Sequence, residues 1–436
     1  MANANLDWSE GPMLNIVTAN GLEERAVIAA MRARAAQVGA DIDAAVQAIM
    51  NGVKEEGFPA VARYSRQFDR QEPYEISQAA LQSAYDRCPQ PLIQAMERAA
   101  ANIRDYNEKL LYRSETWTSP DGGKVGRIVR GLSRVGIYVP GGTAAYPSSV
   151  LMNAVPAKVA GVEEIIMVTP PTENLNDAVL AAAKIAGVDR VIAVGGAQAV
   201  AALAYGAGFI PKVDKLVGPG NAFVAAAKRM AYGTLDIDMV AGPSEVLVIA
   251  DETANAKFVA ADLLSQAEHD KLASAVLLTT SPGLARAVDA EMIRQTGYLE
   301  RSEIMEASIR DYGCAIICEN MEQAVSLANE IAPEHLEIVT QDPEGILPGI
   351  KNAGAVFLGG WSPEPLGDYL AGPDHVLPTS GTARFFSPLS VTSFLKTMSV
   401  IQYDRETLAP VRDEIITLAE SEGLTAHANS IKVRFE

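Results

Sequence analysis

Two rhythms of apolar residues divide this chain. From about Gly21 to Tyr112, apolar positions recur at the spacing of amphipathic helices, most clearly over Glu23–Gln37, Ile42–Glu55 and Leu92–Leu110. A turn region at Ser114–Lys124, centred on SPDGG, ends that pattern. Short uninterrupted apolar runs then alternate with helical stretches. The first series is VGIYV (Val135–Val139), EIIMVT (Glu164–Thr169), RVIAV (Arg190–Val194) and KLVG (Lys215–Gly218). The second is EVLVIA (Glu245–Ala250), SAVLLTT (Ser274–Thr280), CAIIC (Cys314–Cys318), LEIVT (Leu336–Thr340) and GAVFLG (Gly354–Gly359). Continuous apolar strands between helices predict parallel sheets covered on both faces, and hence an α/β fold. From about Thr382 the spacing returns to helical.

The first series carries Gly-rich turns: VPGG (Val139–Gly142), VGGAQ (Val194–Gln198) and GPGNAF (Gly218–Phe223). Each follows an apolar strand and precedes a helix. Backbone amides and a helix N-terminus can receive a pyrophosphate at such a turn. The G-x-G-x-x-G fingerprint is absent, so one such turn means little, but three on one sheet edge favour a ligand. The expected architecture is two Rossmann-like parallel-sheet domains, residues 126–238 and 239–380. They are preceded by a mostly helical N-terminal region, 1–125, and followed by a helical C-terminal tail, 381–436.

Composition narrows the class. With 436 residues, 48% of them hydrophobic, the chain can bury a large core. Its formal charge of −18 disfavours nucleic acid and anionic membrane surfaces as partners, and no run of like charge stands out. The opening MANANLDWSEGPM is polar, without the apolar core of a secretory signal, and no apolar stretch of membrane-spanning length follows. The three cysteines, Cys88, Cys314 and Cys318, have neither disulfide nor metal spacing, which points to a reducing cytoplasm.

Only four histidines occur, and each lies in a polar, turn-associated or carboxylate-rich segment. Gln266 and His269 in LLSQAEHD are spaced so that one helix face could present both to a metal, although a surface pair gives the same pattern. Glu334 and His335 in APEHLEI precede a strand, where they could be two proton-transfer groups or an exposed charged pair. His375 lies in PLGDYLAGPDHVLP, a shaped loop in which Asp368 is an oxygen donor suited to zinc. His427 follows Glu422 by five residues near the C-terminus.

In order, these segments resemble the histidinol dehydrogenase family. The carrying stretches are GIYVPGGTAAYPSSVLMNAVPAKVAG, VGGAQAVAALAYG, DKLVGPGNAFVAAAKR, DMVAGPSEVLVIAD, LLSQAEHD, PEHLEIV, GDYLAGPDHVLPT and EGLTAHANS. The resemblance runs from about Gly131 to the C-terminus and more loosely through the N-terminal helices, with no departure at a motif position. It implies an NAD-dependent two-step oxidation of L-histidinol to L-histidine through L-histidinaldehyde. It implies one Zn2+ per subunit, bound by Gln266, His269, Asp368 and His427, and acid–base chemistry by Glu334 and His335. It further implies substrate contacts at Ser244, Gln266, His269, His335, Asp368, Glu422 and His427, with His375 nearby. Tyr138, Gln198 and Asn221 would contact NAD. The tail would reach into a partner, making a homodimer with shared active sites. The rivals are a zinc hydrolase, a dimer with zinc as a structural clip, and a related dehydrogenase acting on another small alcohol. H-E-x-x-H, the usual hydrolase motif, is absent.

Overall fold

A computed structural model describes residues 12–34, 40–141, 146–172, 175–240 and 242–436. Gly142 of VPGG, Ala241 of AGPSE and the end of the Glu23–Gln37 helix expectation lie outside these residues.

Both series of apolar runs form the strands expected of them, in two six-stranded sheets. In the first sheet the spatial order is Tyr74–Ile76, Arg190–Ala193, Glu164–Thr169, Arg134–Tyr138, Lys215–Val217, Asp236–Ile237. In the second it is Asn15–Thr18, Gly313–Ile317, Ser274–Thr279, Glu245–Ala250, His335–Val339, Ala355–Leu358. Leaving aside the first strand of each, both sheets run third, second, first, fourth, fifth in chain order. That is the doubly wound order, with its topological switch between the first and fourth strands. The pairings are parallel except at Tyr74–Ile76, which lies antiparallel to Arg190–Ala193.

The helices close both faces. Gly196–Tyr205 is almost wholly Ala, Val and Leu, and is buried nearly throughout. A helix apolar all round belongs between layers, not at a surface. Capping marks where other helices start: Asn176, Asn221, Asn255, Ser281 and Asn320 each accept a backbone N–H of the following first turn.

The ends of the chain depart from the sequence expectation. The N-terminal region is helical, including Phe58–Phe68 and Gln78–Arg87, which the spacing analysis passed over. It also lends Asn15–Thr18 to the second sheet and Tyr74–Ile76 to the first. The turn at SPDGG is the tip of a hairpin joining Glu115–Thr118 to Lys124–Gly131. The tail contains the strand Leu395–Gln402, which pairs antiparallel along Lys124–Gly131. A single helical turn, Arg405–Leu408, follows, and then the helices Arg412–Ser421 and Thr425–Lys432, which pack chiefly on each other. Among the described residues no helix is long and apolar enough to cross a membrane.

Candidate active site

A cavity of about 460 Å³ lies between the two sheets. The first sheet faces it with its carboxyl edge, through Pro140 and the turn Gly218–Asn221. The second faces it with its amino edge: Ser244 immediately precedes one strand, while Glu334 and His335 stand at the start of another. Gln266, His269, Asp368 and His375 complete the expected residues in its wall, with Ser149 and Tyr369 beside them.

Each side chain is delivered by a local device. Gln266 lies in the last turn of the helix Ala256–Ala267. His269 sits just past that helix, not on it; its N–H donates to the Gln266 carbonyl at 3.2 Å, which keeps the two a turn apart. The segment expected to be a loop around Asp368 is partly a six-residue helix, Glu364–Tyr369. Glu334 and His335 are buried, which removes the reading of an exposed charged pair.

The Glu245 main chain grips this pair. Its carbonyl accepts from His335 Nδ1 at 3.0 Å, and its N–H donates to Glu334 Oε2 at 2.9 Å. A carbonyl only accepts, so Nδ1 carries the proton and Nε2 keeps its lone pair. Nε2 has no hydrogen-bond partner; Glu364 Oε1 lies 3.7 Å away and Asp368 Oδ1 3.9 Å. Burial lowers the His335 pKa to about 4, against the upward pull of the Asp368 carboxylate. Burial drives Glu334 well above the usual carboxylate range, aided by repulsion from Glu245, Asp368 and Glu364 and opposed by the Glu245 N–H. Burial, then the Asp368 carboxylate, raises Glu364 to about 9. The pocket is thus short of positive charge and suited to a cation.

Asp368 Oδ1 also lies 3.7 Å from His375 Nδ1, and Ser149 Oγ is 3.5 Å from His375 Nε2. His335, Glu364 and Asp368 offer a nitrogen and two oxygens within 4.8 Å of one another. Gln266 is 1% exposed, and neither its amide oxygen nor its amide nitrogen finds a partner. A buried amide left so costs about 1–3 kcal/mol, which a ligand taking its oxygen would relieve. Imidazole nitrogen with carboxylate and amide oxygen is a borderline donor set that zinc accepts.

Sequence reasoning missed Glu364. Its spacing of four residues before Asp368, on what proves to be a helix, was the available signal.

The nucleotide candidates divide. Asn221 lines the cavity, and its Oδ1 accepts the N–H of Phe223 and of Val224, both at 3.1 Å. Tyr138 and Gln198 lie outside the cavity wall, the first at the end of the strand Arg134–Tyr138 and the second in the first turn of the helix Gly196–Tyr205. Tyr138 Oη accepts the Gly196 N–H at 3.0 Å, and Gln198 Nε2 donates to Asp69 Oδ2 at 3.2 Å. Asp238 fastens the Gly218 turn: its carboxylate accepts the N–H of Gly218 at 2.8 Å and of Met239 at 2.7 Å, and pairs with buried Lys228. Lys228 Nζ also donates to the Gly218 carbonyl at 2.8 Å. Glu422 and His427 are exposed on the tail, and neither lines the cavity.

Comparison with known proteins agrees with this geometry. The family model for histidinol dehydrogenase matches residues 32–435. Histidinol dehydrogenase of Clostridium acetobutylicum is 51% identical over 428 residues, covering 97% of this chain and 99% of the relative. That of Caldanaerobacter subterraneus subsp. tengcongensis is 55% identical over 396 residues, covering 89% and 92%. The crystal structure of histidinol dehydrogenase from Elizabethkingia anophelis superposes with a TM-score of 0.93 at 35% identity, covering 98% of both chains. The chain belongs to the histidinol dehydrogenase family of oxidoreductases.

Proposed function

We propose that this cavity oxidises L-histidinol to L-histidine through L-histidinaldehyde, consuming two NAD, in a cytoplasmic homodimer with one zinc per subunit. The carrying observation is the convergence of Ser244, Gln266, His269, Glu334, His335 and Asp368 on one cavity that also reaches the capped turn at Asn221.

Gln266, His269 and Asp368 would hold the zinc, with the partner subunit's His427 as fourth ligand. When bound, zinc supplies a Lewis-acidic anchor for the amine and imidazole nitrogens of the substrate. NAD would supply the hydride acceptor for the carbinol carbon. His335 takes the hydroxyl proton on Nε2, the nitrogen left free by the Glu245 carbonyl. In the second step Glu334 takes a proton from the water that adds to the aldehyde. Its carboxyl must ionise first, and the positive charge of the zinc that holds the substrate would lower its raised pKa. Ser244, together with the partner subunit's Glu422, orients the substrate. Tyr138 and Gln198 shape the turn that, with the helix start at Asn221, receives the dinucleotide.

Exchange of the tail accounts for the exposure of His427 and Glu422. It also accounts for apolar residues left open on the tail, Ile401 at 75% and Leu418 at 66% exposure. Mixing inactive His269→Ala and His427→Ala chains should restore activity if sites are shared.

The deciding experiment incubates zinc-loaded protein with limiting histidinol and excess NAD. Two NADH per histidinol, with little free aldehyde, is expected; one or none refutes the reading. No NAD reduction would favour a hydrolase. A Glu334→Gln protein unchanged in every property would favour a structural zinc, and a better alcohol in substrate profiling would move the enzyme elsewhere in its superfamily.

A further inference from the structure

Three elements around the cavity each carry two polar residues, one above the other. Asp262 lies one helical turn before Gln266, Glu337 two strand positions after His335, and Glu364 one turn before Asp368. The later residue of each helix pair, and the earlier one on the strand, reach the cavity; the other three form a tier beneath.

Glu337 is the least expected of these. It is 1% exposed, mid-strand, with Val248 and Phe357 as its neighbours on the flanking strands. A carboxyl in such a layer is costly unless hydrogen-bonded. Glu337 shares a hydrogen bond with the Asp262 carboxyl, and its Oε1 accepts the Glu364 N–H at 2.9 Å. The second bond falls on a helix that lacks a cap of its own: Pro363 precedes Glu364–Tyr369 and offers no side-chain acceptor. Six residues do not form a helix unaided. Glu337 therefore supplies, from a neighbouring strand, the cap that the local sequence omits.

We infer that Glu337, steadied by Asp262, is a positioning residue that caps the helix Glu364–Tyr369 from a distance and so fixes the aim of Asp368. The inference rests on the metal assignment given above. It requires Glu337 to matter for metal binding beyond any part it has in folding.

The test uses full-length dimer carrying Glu337→Met, Glu337→Gln or Asp368→Asn. Zinc affinity is measured by chelator competition, ligand geometry by the visible spectrum of the cobalt-substituted protein, and stability by thermal unfolding of the metal-free form. Glu337→Met should bind zinc about 10–100-fold more weakly and shift the cobalt spectrum. Its metal-free midpoint should fall modestly, because the Glu364 N–H and the Asp262 carboxyl each lose a buried partner. Glu337→Gln keeps an acceptor for the Glu364 N–H and should restore both affinity and spectrum. Wild-type zinc affinity in Glu337→Met overturns the inference. So does a Gln variant as weak as Met, or a cobalt spectrum unchanged in Glu337→Met. If the wild type takes up no zinc, or Asp368→Asn binds it undiminished, the metal assignment itself falls and this inference with it.

Discussion

Replacing Lys228 by Met tests how the nucleotide turn is held. Lys228 and Asp238 form an ion pair with side chains 4% and 2% exposed. Without the ammonium, Asp238 retains the N–H bonds of Gly218 and Met239 but loses its counter-charge. The Gly218 carbonyl loses its Nζ donor as well. Breaking a buried pair from one side costs about 3–5 kcal/mol. That is a large part of the stability of a typical protein, about 5–15 kcal/mol. Adding Asp238→Asn removes the stranded charge while leaving an amide oxygen to accept one of the two N–H groups. The double variant should then carry the unpaired Gly218 carbonyl and the one N–H the amide cannot accept, about 1–3 kcal/mol each, without a stranded charge. Urea unfolding of both proteins measures the difference, and titration with NAD measures the turn. The single variant should be the less stable by at least about 1 kcal/mol and should bind NAD more weakly. A double variant no more stable than Lys228→Met alone would refute the reasoning.

Three further outcomes follow from the site. His335→Asn should lower kcat by about 10²–10⁴-fold with a smaller change in KM, measured by steady-state NADH formation. The same substitution should remove a pH-dependent cost of folding. Burial holds His335 near pKa 4, so between about pH 6.5 and 4 only the unfolded chain takes up a proton there, and this residue's contribution falls as pH falls. Urea midpoints of the metal-free parent and variant should therefore diverge from pH 4 to 6.5 in favour of the parent. Asn221→Ala should cost about 1 kcal/mol of stability and weaken NAD binding, whereas Asn221→Asp, which keeps the cap, should spare stability.

The chain announces its strands and most of its cavity, and the reasons are physical. Runs such as EVLVIA and SAVLLT are buried throughout, and apolar along their middle, because a parallel sheet has no wet face. Tyr74–Ile76 escapes notice because it is three residues long and mostly exposed, and Leu395–Gln402 because its exposure does not alternate. His269 and His335 stand out because histidine is rare in the chain and each sits beside carboxylates, and Asp368 because it lies among glycines and prolines. Glu337 and Glu364 do not, because a carboxyl inside LEIV or beside two prolines acquires meaning only from what another element places against it. The resemblance supplied the tail's role, for nothing in EGLTAHANS reveals where His427 is used.

The two sheets use opposite ends of the same winding, and this frees one rim of the molecule. Loops at the far ends of the second sheet, around Glu252, Glu319 and Gln341, are exposed. A five-residue strand separates them from Glu334 and His335 by roughly 16 Å. That rim can accept a circular-permutation break, a grafted epitope or a tether with little penalty at the chemistry. In an ordinary doubly wound enzyme those turns would be the last place to cut.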